Sequence, residues 1–228
     1  MSSRGAKARP QDSVSALAAD RARALALVPV SRETAERLDR FVEILLRWQK
    51  RINLIAASSI PHLWTRHVTD SLQLLALSPP SAKGFVDFGS GGGFPGLVLG
   101  CALTERPGAV VHLVESNQKK AAFLREAGRV TGAAVQVHPQ RVESFTAGFG
   151  GPADVVTARG LAPLGDLLAL AEPLLKTGAL GLFPKGQDVE AELTETSKYW
   201  TMQIATVPSR THADGRIVVV SSATRKLA

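Results

Sequence analysis

Val86-Asp87-Phe88-Gly89-Ser90-Gly91-Gly92-Gly93-Phe94-Pro95-Gly96 decides how this chain is read. An apolar run carrying one acid leads into five glycines, and an apolar, helix-permitting segment follows. The order predicts a strand, a turn that approaches a ligand, then a helix. Glycine tolerates positive φ and lets backbone amides come close to a bound molecule. A proline in the first helical turn gives up only an N–H that would have no partner there.

Two registers fit the turn. Gly91-x-Gly93-x-x-Gly96 has the spacing of the dinucleotide fingerprint, with Glu115 about 20 residues on as the ribose acid. Counted instead from Asp87, two residues before Gly89, the turn has the D-h-G-x-G-x-G pattern of S-adenosylmethionine sites. That pattern meets a methionine moiety and needs no pyrophosphate, and an acid inside the strand favours it.

With 228 residues, 45% of them hydrophobic, the chain supports one substantial core and is too short for two full domains. Its one cysteine, Cys101, lies in an apolar segment and reads as a packing residue, so neither a disulfide framework nor a metal cluster is expected. Arg4, Lys7 and Arg9 sit in a polar start without an apolar run, and no run reaches the roughly 18–20 residues of a membrane span. A cytoplasmic location without membrane contact is expected. The net charge of +7 favours a polyanionic partner.

Three regions are expected: a disordered basic tail over 1–12, a helical extension over 13–80 and a Rossmann-like domain over 81–228. Ser13 to Leu27 reads as an alanine-rich helix. Ser31 caps a second, whose Leu38, Phe41, Val42, Leu45, Trp48 and Ile52 recur at spacings of three and four. Between Ile44 and Thr69 there is no carboxylate. Arg47, Lys50, Arg51 and Arg66, interleaved with Trp48, His62, Trp64 and His67, form the candidate RNA surface, cations for phosphates and rings for stacking on bases, although Trp48, on the apolar face of its helix, reads as core. Pro61 to Leu77 reads as a helix ending at Pro79-Pro80.

From there, short β-branched runs alternate with helical ones, the pattern of a doubly wound sheet. Strands are expected at 85–88, 110–115, 135–138, 154–158 and 179–183. Two more, 204–207 and 216–220, are joined by a polar turn containing Asp214-Gly215 into an antiparallel hairpin. The whole is an α/β fold with a mainly parallel seven-stranded sheet. Glu115 closes the second strand, where a carboxylate can accept both ribose hydroxyls. Arg141-Val142-Glu143 reads as a loop at the same edge, suited to adenine. Arg159 leaves the fourth strand as an anion-seeking fork, and Lys185 leaves the fifth.

The chain resembles the small-subunit rRNA guanosine N7 methyltransferases, the glucose-inhibited division protein B family. The likeness rests on Arg51-Ile52-Asn53-Leu54, His67-Val68-Thr69-Asp70-Ser71-Leu72, Asp87 to Gly96, Glu115-Ser116 with Lys119-Lys120, Arg141-Val142-Glu143, Arg159 and Lys185-Gly186. It leaves residues 1 to about 28 outside. Glu115 stands where that family commonly has Asp, Gly160 where it has Ala, and Ile55 where it has Thr.

The resemblance implies the class I methyltransferase fold, S-adenosyl-L-methionine as cofactor, and 16S rRNA or the small ribosomal subunit as substrate. It places Gly89 and Phe94 at the donor site, Val142 and Glu143 at the adenosine, and Arg159 as completing the pocket; Glu115 is expected at the ribose. Guanine N7 offers an in-plane lone pair and no proton, so no catalytic base is expected. His67 and Asp70 are expected to join the N-terminal helices to the sheet. A monomer is expected. The competing readings are a nicotinamide oxidoreductase, a small-molecule methyltransferase and a non-enzymatic ribosome-assembly factor.

Overall fold

The computed structural model describes residues 10–226. Seven strands form one sheet, β1 (Gly84–Phe88), β2 (Val110–Val114), β3 (Val135–His138), β4 (Val155–Ala158), β5 (Leu180–Lys185), β6 (Trp200–Pro208) and β7 (Arg216–Arg225). Their order is β3-β2-β1-β4-β5-β7-β6. The first five are parallel, and β7 runs antiparallel to both β5 and β6. The order of strands reverses between β1 and β4. At such a switch point the connections leave on opposite faces and open a crevice beyond the strands' carboxyl ends. Gly89 and Arg159 are the first residues past those two ends.

Alternation along the strands sends side chains to two cores. Phe85, Val111, Leu113, Val155 and Leu182 face one core, with α2 (Arg32–Gln49), α4 (Gly96–Leu103), α5 (Gln118–Thr131) and Ala24 of α1 (Pro10–Leu27). Val86, Phe88, Val114, Val156 and Phe183 face the other, under α6 (Val142–Gly148), α7 (Leu164–Leu175) and α8 (Val189–Ser197). The N-terminal helices therefore pack on the sheet's first face. Cys101 is fully buried there, and burial pushes its thiol up to about 12. No helix among the described residues is long and apolar enough to cross a membrane.

Several expectations shift. Residues 1–9 of the expected tail lie outside the described residues, while 10–12 already belong to α1. Ser31 does cap α2, its side chain accepting from the Thr34 amide at 3.0 Å. The single helix expected over 61–77 is a broken run: a 3₁₀ segment (Ala57–His62), a π-helical turn (Trp64–Thr69), a short α3 (Asp70–Leu72) and another 3₁₀ segment (Gln73–Ala76). Arg141-Val142-Glu143 is not a loop, since Val142 opens α6. β6 and β7 outrun their expected spans, because β6 turns mostly polar or small residues to solvent and carries little alternation to read.

Candidate functional site

Beyond β1 the chain turns through Gly89 at φ 63°, Gly91 at 51° and Gly93 at 86°, conformations that suit glycine. Asp87, wholly buried, fastens the far end of the turn to β1 and β4. Its Oδ2 accepts the Gly96 amide at 3.1 Å, and its Oδ1 accepts the hydroxyl of Thr157, its register partner on β4, at 2.8 Å. Burial raises its pKa to about 6, against the pull of these donors. The acid in the strand is thus a structural clamp beneath the turn.

Glu115 follows β2 and is 8% exposed. Its Oε2 accepts the Gly91 amide at 2.9 Å and its Oε1 the Asn117 amide at 2.7 Å. Each oxygen keeps a further lone pair. The carboxylate holds the glycine turn to the end of β2 and still borders a cavity of about 280 Å³. Gly89, Val142, Glu143 and Leu161 line the same cavity. Four of the six expected cofactor residues, Gly89, Glu115, Val142 and Glu143, therefore meet around one hollow at the switch point.

Phe94 and Arg159 lie beside it. Phe94 is 5% exposed, with its ring 5.0 Å from His67 and the Arg159 guanidinium 5.2 Å above its centre. Arg159 donates Nη2 to His67 Nδ1 at 2.8 Å and Nη1 to the Arg66 carbonyl at 3.3 Å, and it pairs with Asp70 at 3.5 Å. Burial lowers the Arg159 pKa, with Asp70 and Asp87 opposing. His67 is pushed down to about 3, first by burial and then by Arg159 and Arg66. A guanidinium can only donate, so Nδ1 accepts and Nε2 carries the proton, which it gives to Ser59 Oγ at 2.9 Å. His67 is therefore a neutral acceptor and no proton shuttle.

A larger hollow of about 700 Å³ opens past Arg159 and meets the first at Gly160 and Leu161. Lys185 borders it but is committed, donating to Glu192 at 2.7 Å and to the Ala162 carbonyl at 3.0 Å. Ser209 and Thr211, from the turn joining β6 to β7, form the opposite wall. Thr211 donates to Asp70 at 2.8 Å, and Gln73 accepts the Arg210 amide at 2.9 Å. Asp70 thus joins three remote segments at the mouth. The expectation that His67 and Asp70 tie the N-terminal helices to the sheet is met through Arg159, while the expected hairpin turn has an unforeseen part in it through Thr211. No local pattern in Ser209-Arg210-Thr211 marks it.

The candidate RNA surface needs correction. Trp64 is 2% exposed beneath Arg21, so its ring is not free to stack on a base, while Trp48 packs against the core as expected, with its N–H on Glu126. Arg66 and His62 remain exposed.

Parallel strands reversing order at a glycine-rich turn, an acid beyond β2 and an antiparallel closing pair define an S-adenosylmethionine-dependent methyltransferase of the Rossmann-like class I fold. The solved O-methyltransferase from Bacillus cereus in complex with SAH has the same fold, with TM-score 0.58 and 14% identity over 92% of this chain and 100% of that one. A putative O-methyltransferase from Klebsiella pneumoniae aligns equally well, with TM-score 0.58 and 14% identity over 92% of this chain and 99% of that one. The chain belongs to the rRNA small subunit methyltransferase G (GidB) family, whose pattern matches residues 34–218. A protein of that name from a Bradyrhizobium species is 61% identical over 90% of this chain and 91% of its own length. Another, from Nitrobacter hamburgensis, is 56% identical over 97% of this chain and 85% of its own.

Proposed function

We propose that this protein transfers a methyl group from S-adenosyl-L-methionine to N7 of a guanosine in 16S rRNA, as a cytoplasmic monomer. Residues 13–80 serve as an extension of the methyltransferase domain at 81–228. The observation that carries the reading is the meeting of two hollows at Gly160–Leu161, with Gly89, Glu115, Val142 and Glu143 around one and Arg159 in the other. The smaller suits the cofactor: amides of a positive-φ turn, a carboxylate with lone pairs to spare, and apolar cover from Val142 and Leu161.

Bound there, the cofactor supplies an electrophilic methyl group on a sulfonium. Glu115 is assigned to the ribose, Val142 and Glu143 to the adenosine, and Gly89 to the methionine part. Phe94 supports Arg159, which steadies the donor's carboxylate or the substrate at the junction. Guanine N7 has no proton to lose, so the site needs no base, in keeping with a neutral His67 and a fully engaged Lys185. The protein's work is alignment, which contributes on the order of 7–11 kcal/mol where the reacting atoms are held in line.

The test is transfer of labelled methyl from S-adenosylmethionine to small subunits isolated from a strain without this protein, with the product mapped by mass spectrometry. Label on N7 of one guanosine in those subunits, and none in subunits of the parent strain, is the expected result. Absence of label despite donor binding refutes the assignment.

A further inference from the structure

The larger hollow does not end at the β6–β7 turn. It continues into a third, of about 310 Å³, sharing Arg66, Thr211 and His212 with it. The far wall of this continuation is α1, through Asp20, Arg23 and Leu27. One groove therefore runs from α1, past Arg66 and the hairpin turn, to the junction at Gly160–Leu161. Residues 10–27 lie outside the stretch that matches the family, which begins at 34.

The groove is electropositive because its carboxylates are engaged from within. Asp20 accepts the Trp64 amide at 2.8 Å, the Thr65 amide at 3.2 Å and the Thr65 hydroxyl at 2.6 Å. Asp70 faces Arg159 and Thr211, and Glu192 faces Lys185. The cations are not matched in the same way. Among the described residues the Arg66 side chain meets no carboxylate, and Arg216 donates only to the carbonyls of Ala213 and Gly215. Arg23 touches Asp20 at 3.3 Å, with its side chain 64% exposed. His62 and His212 stand exposed at the same mouth.

The geometry points to this groove as the track for the RNA strand, with phosphates against Arg23 and Arg66 and the strand led by the hairpin turn toward the junction. Arginine forks pair with phosphate oxygens, and releasing condensed counterions supplies the affinity. Of the surface suggested by sequence, the track keeps Arg66 and His62 and leaves out Arg47, Lys50 and Arg51, and it gives α1 a role in binding. It rests on the proposed rRNA substrate.

The experiment measures binding of unmethylated small subunits by filter retention at several salt concentrations, beside methyl transfer, for the whole protein and for Arg23→Glu/Arg66→Glu. The variant is expected to bind at least tenfold more weakly, with its log–log salt slope flattened by about 1–2, as for two lost single-strand phosphate contacts. S-adenosylmethionine affinity should stay at the unaltered value, because neither side chain borders the cofactor cavity, and the melting temperature should fall only by what the Arg23–Asp20 contact contributes. His212→Glu, on the opposite wall, should weaken binding in the same direction, and Lys50→Glu/Arg51→Glu should not. Unaltered affinity in the groove variants, or a greater loss in the Lys50/Arg51 variant, overturns the track while leaving the methyl transfer standing. Salt-dependent binding that needs Arg23 and Arg66 but yields no methyl transfer by the unaltered protein keeps the track and removes the proposed reaction. A protein that neither binds nor methylates removes both.

Discussion

Gly96 and Gly89 border the same turn, yet a methyl group added to each meets different obstacles. At Gly96 a Cβ would stand 2.4 Å from a Leu113 methyl and 2.5 Å from Asp87 Oδ2, both buried. Gly96→Ala should therefore cost about 1–3 kcal/mol or more through overpacking, read as a fall in melting temperature. At Gly89 the neighbour is Leu161 at 2.8 Å, a side chain 40% exposed and free to move, so the cost is mainly φ of +63°. Gly89→Ala should lose about 1 kcal/mol of stability, but weaken S-adenosylmethionine at least tenfold in calorimetric titration by narrowing the cavity. Equal damage to stability from both substitutions would contradict this division. Arg159 is more demanding. Arg159→Ala strips a partner from His67 and Asp70 and should lower kcat/KM at least a hundredfold, with a stability loss of only about 1–3 kcal/mol. Comparable proportional loss of both would make Arg159 a structural residue only. Because His67 accepts from Arg159, His67→Gln, which retains an acceptor oxygen, should keep more activity than His67→Ala.

At the scale of elements, α6 presents Val142 and Glu143 to the smaller cavity, and what places it is an aromatic box beneath. Phe145 stacks on Phe149 at 4.6 Å and meets His138 edge-on at 4.8 Å, while His112 lies 3.0 Å from His138 between ring nitrogens. Phe145→Ala should cost about 3–5 kcal/mol and weaken S-adenosylmethionine as α6 loses its seat. Retained affinity in the still-folded variant would show that the helix is held from elsewhere. The helix was not legible in advance. It has seven residues, and only Val142 and Phe145 are buried, too few repeats to set a period. The β1–turn–α4 unit was legible for the opposite reason: its glycines are adjacent in sequence, and local backbone demands are written locally.

Across the whole molecule, buried His112 and half-buried His67 and His138 shape the response to acid. His67 falls to about 3 and His112 to about 4, in each case first through burial, and burial lowers His138 as well. Each folded pKa lies below the unfolded value, so its contribution is present above about pH 6.5 and drains away as pH falls toward the folded value. Asp87, raised to about 6, works in the opposite direction, its protonated form favouring the folded state below that pH. Histidines outnumber it, so stability in urea titrations should fall between pH 6.5 and 4, by about 1–3 kcal/mol per pH unit. A flat profile would contradict the burial of these rings. The sheet, its order of elements and the edge that carries the smaller cavity could be read from sequence because each follows from runs of a few residues. The Arg159 junction and the groove could not, since they join positions 92 and 141 residues apart whose local patterns are ordinary. The strand order carries one further consequence, for synthesis. β6 is made before β7, but its sole neighbour in the sheet is β7. A growing chain therefore leaves β5 as an open edge, with β6 unpaired, until Arg216–Arg225 has been made and folds back between them. The hairpin turn reaches Asp70 only then, so β7, made after the other six strands, is the one whose pairing assembles the mouth of the site.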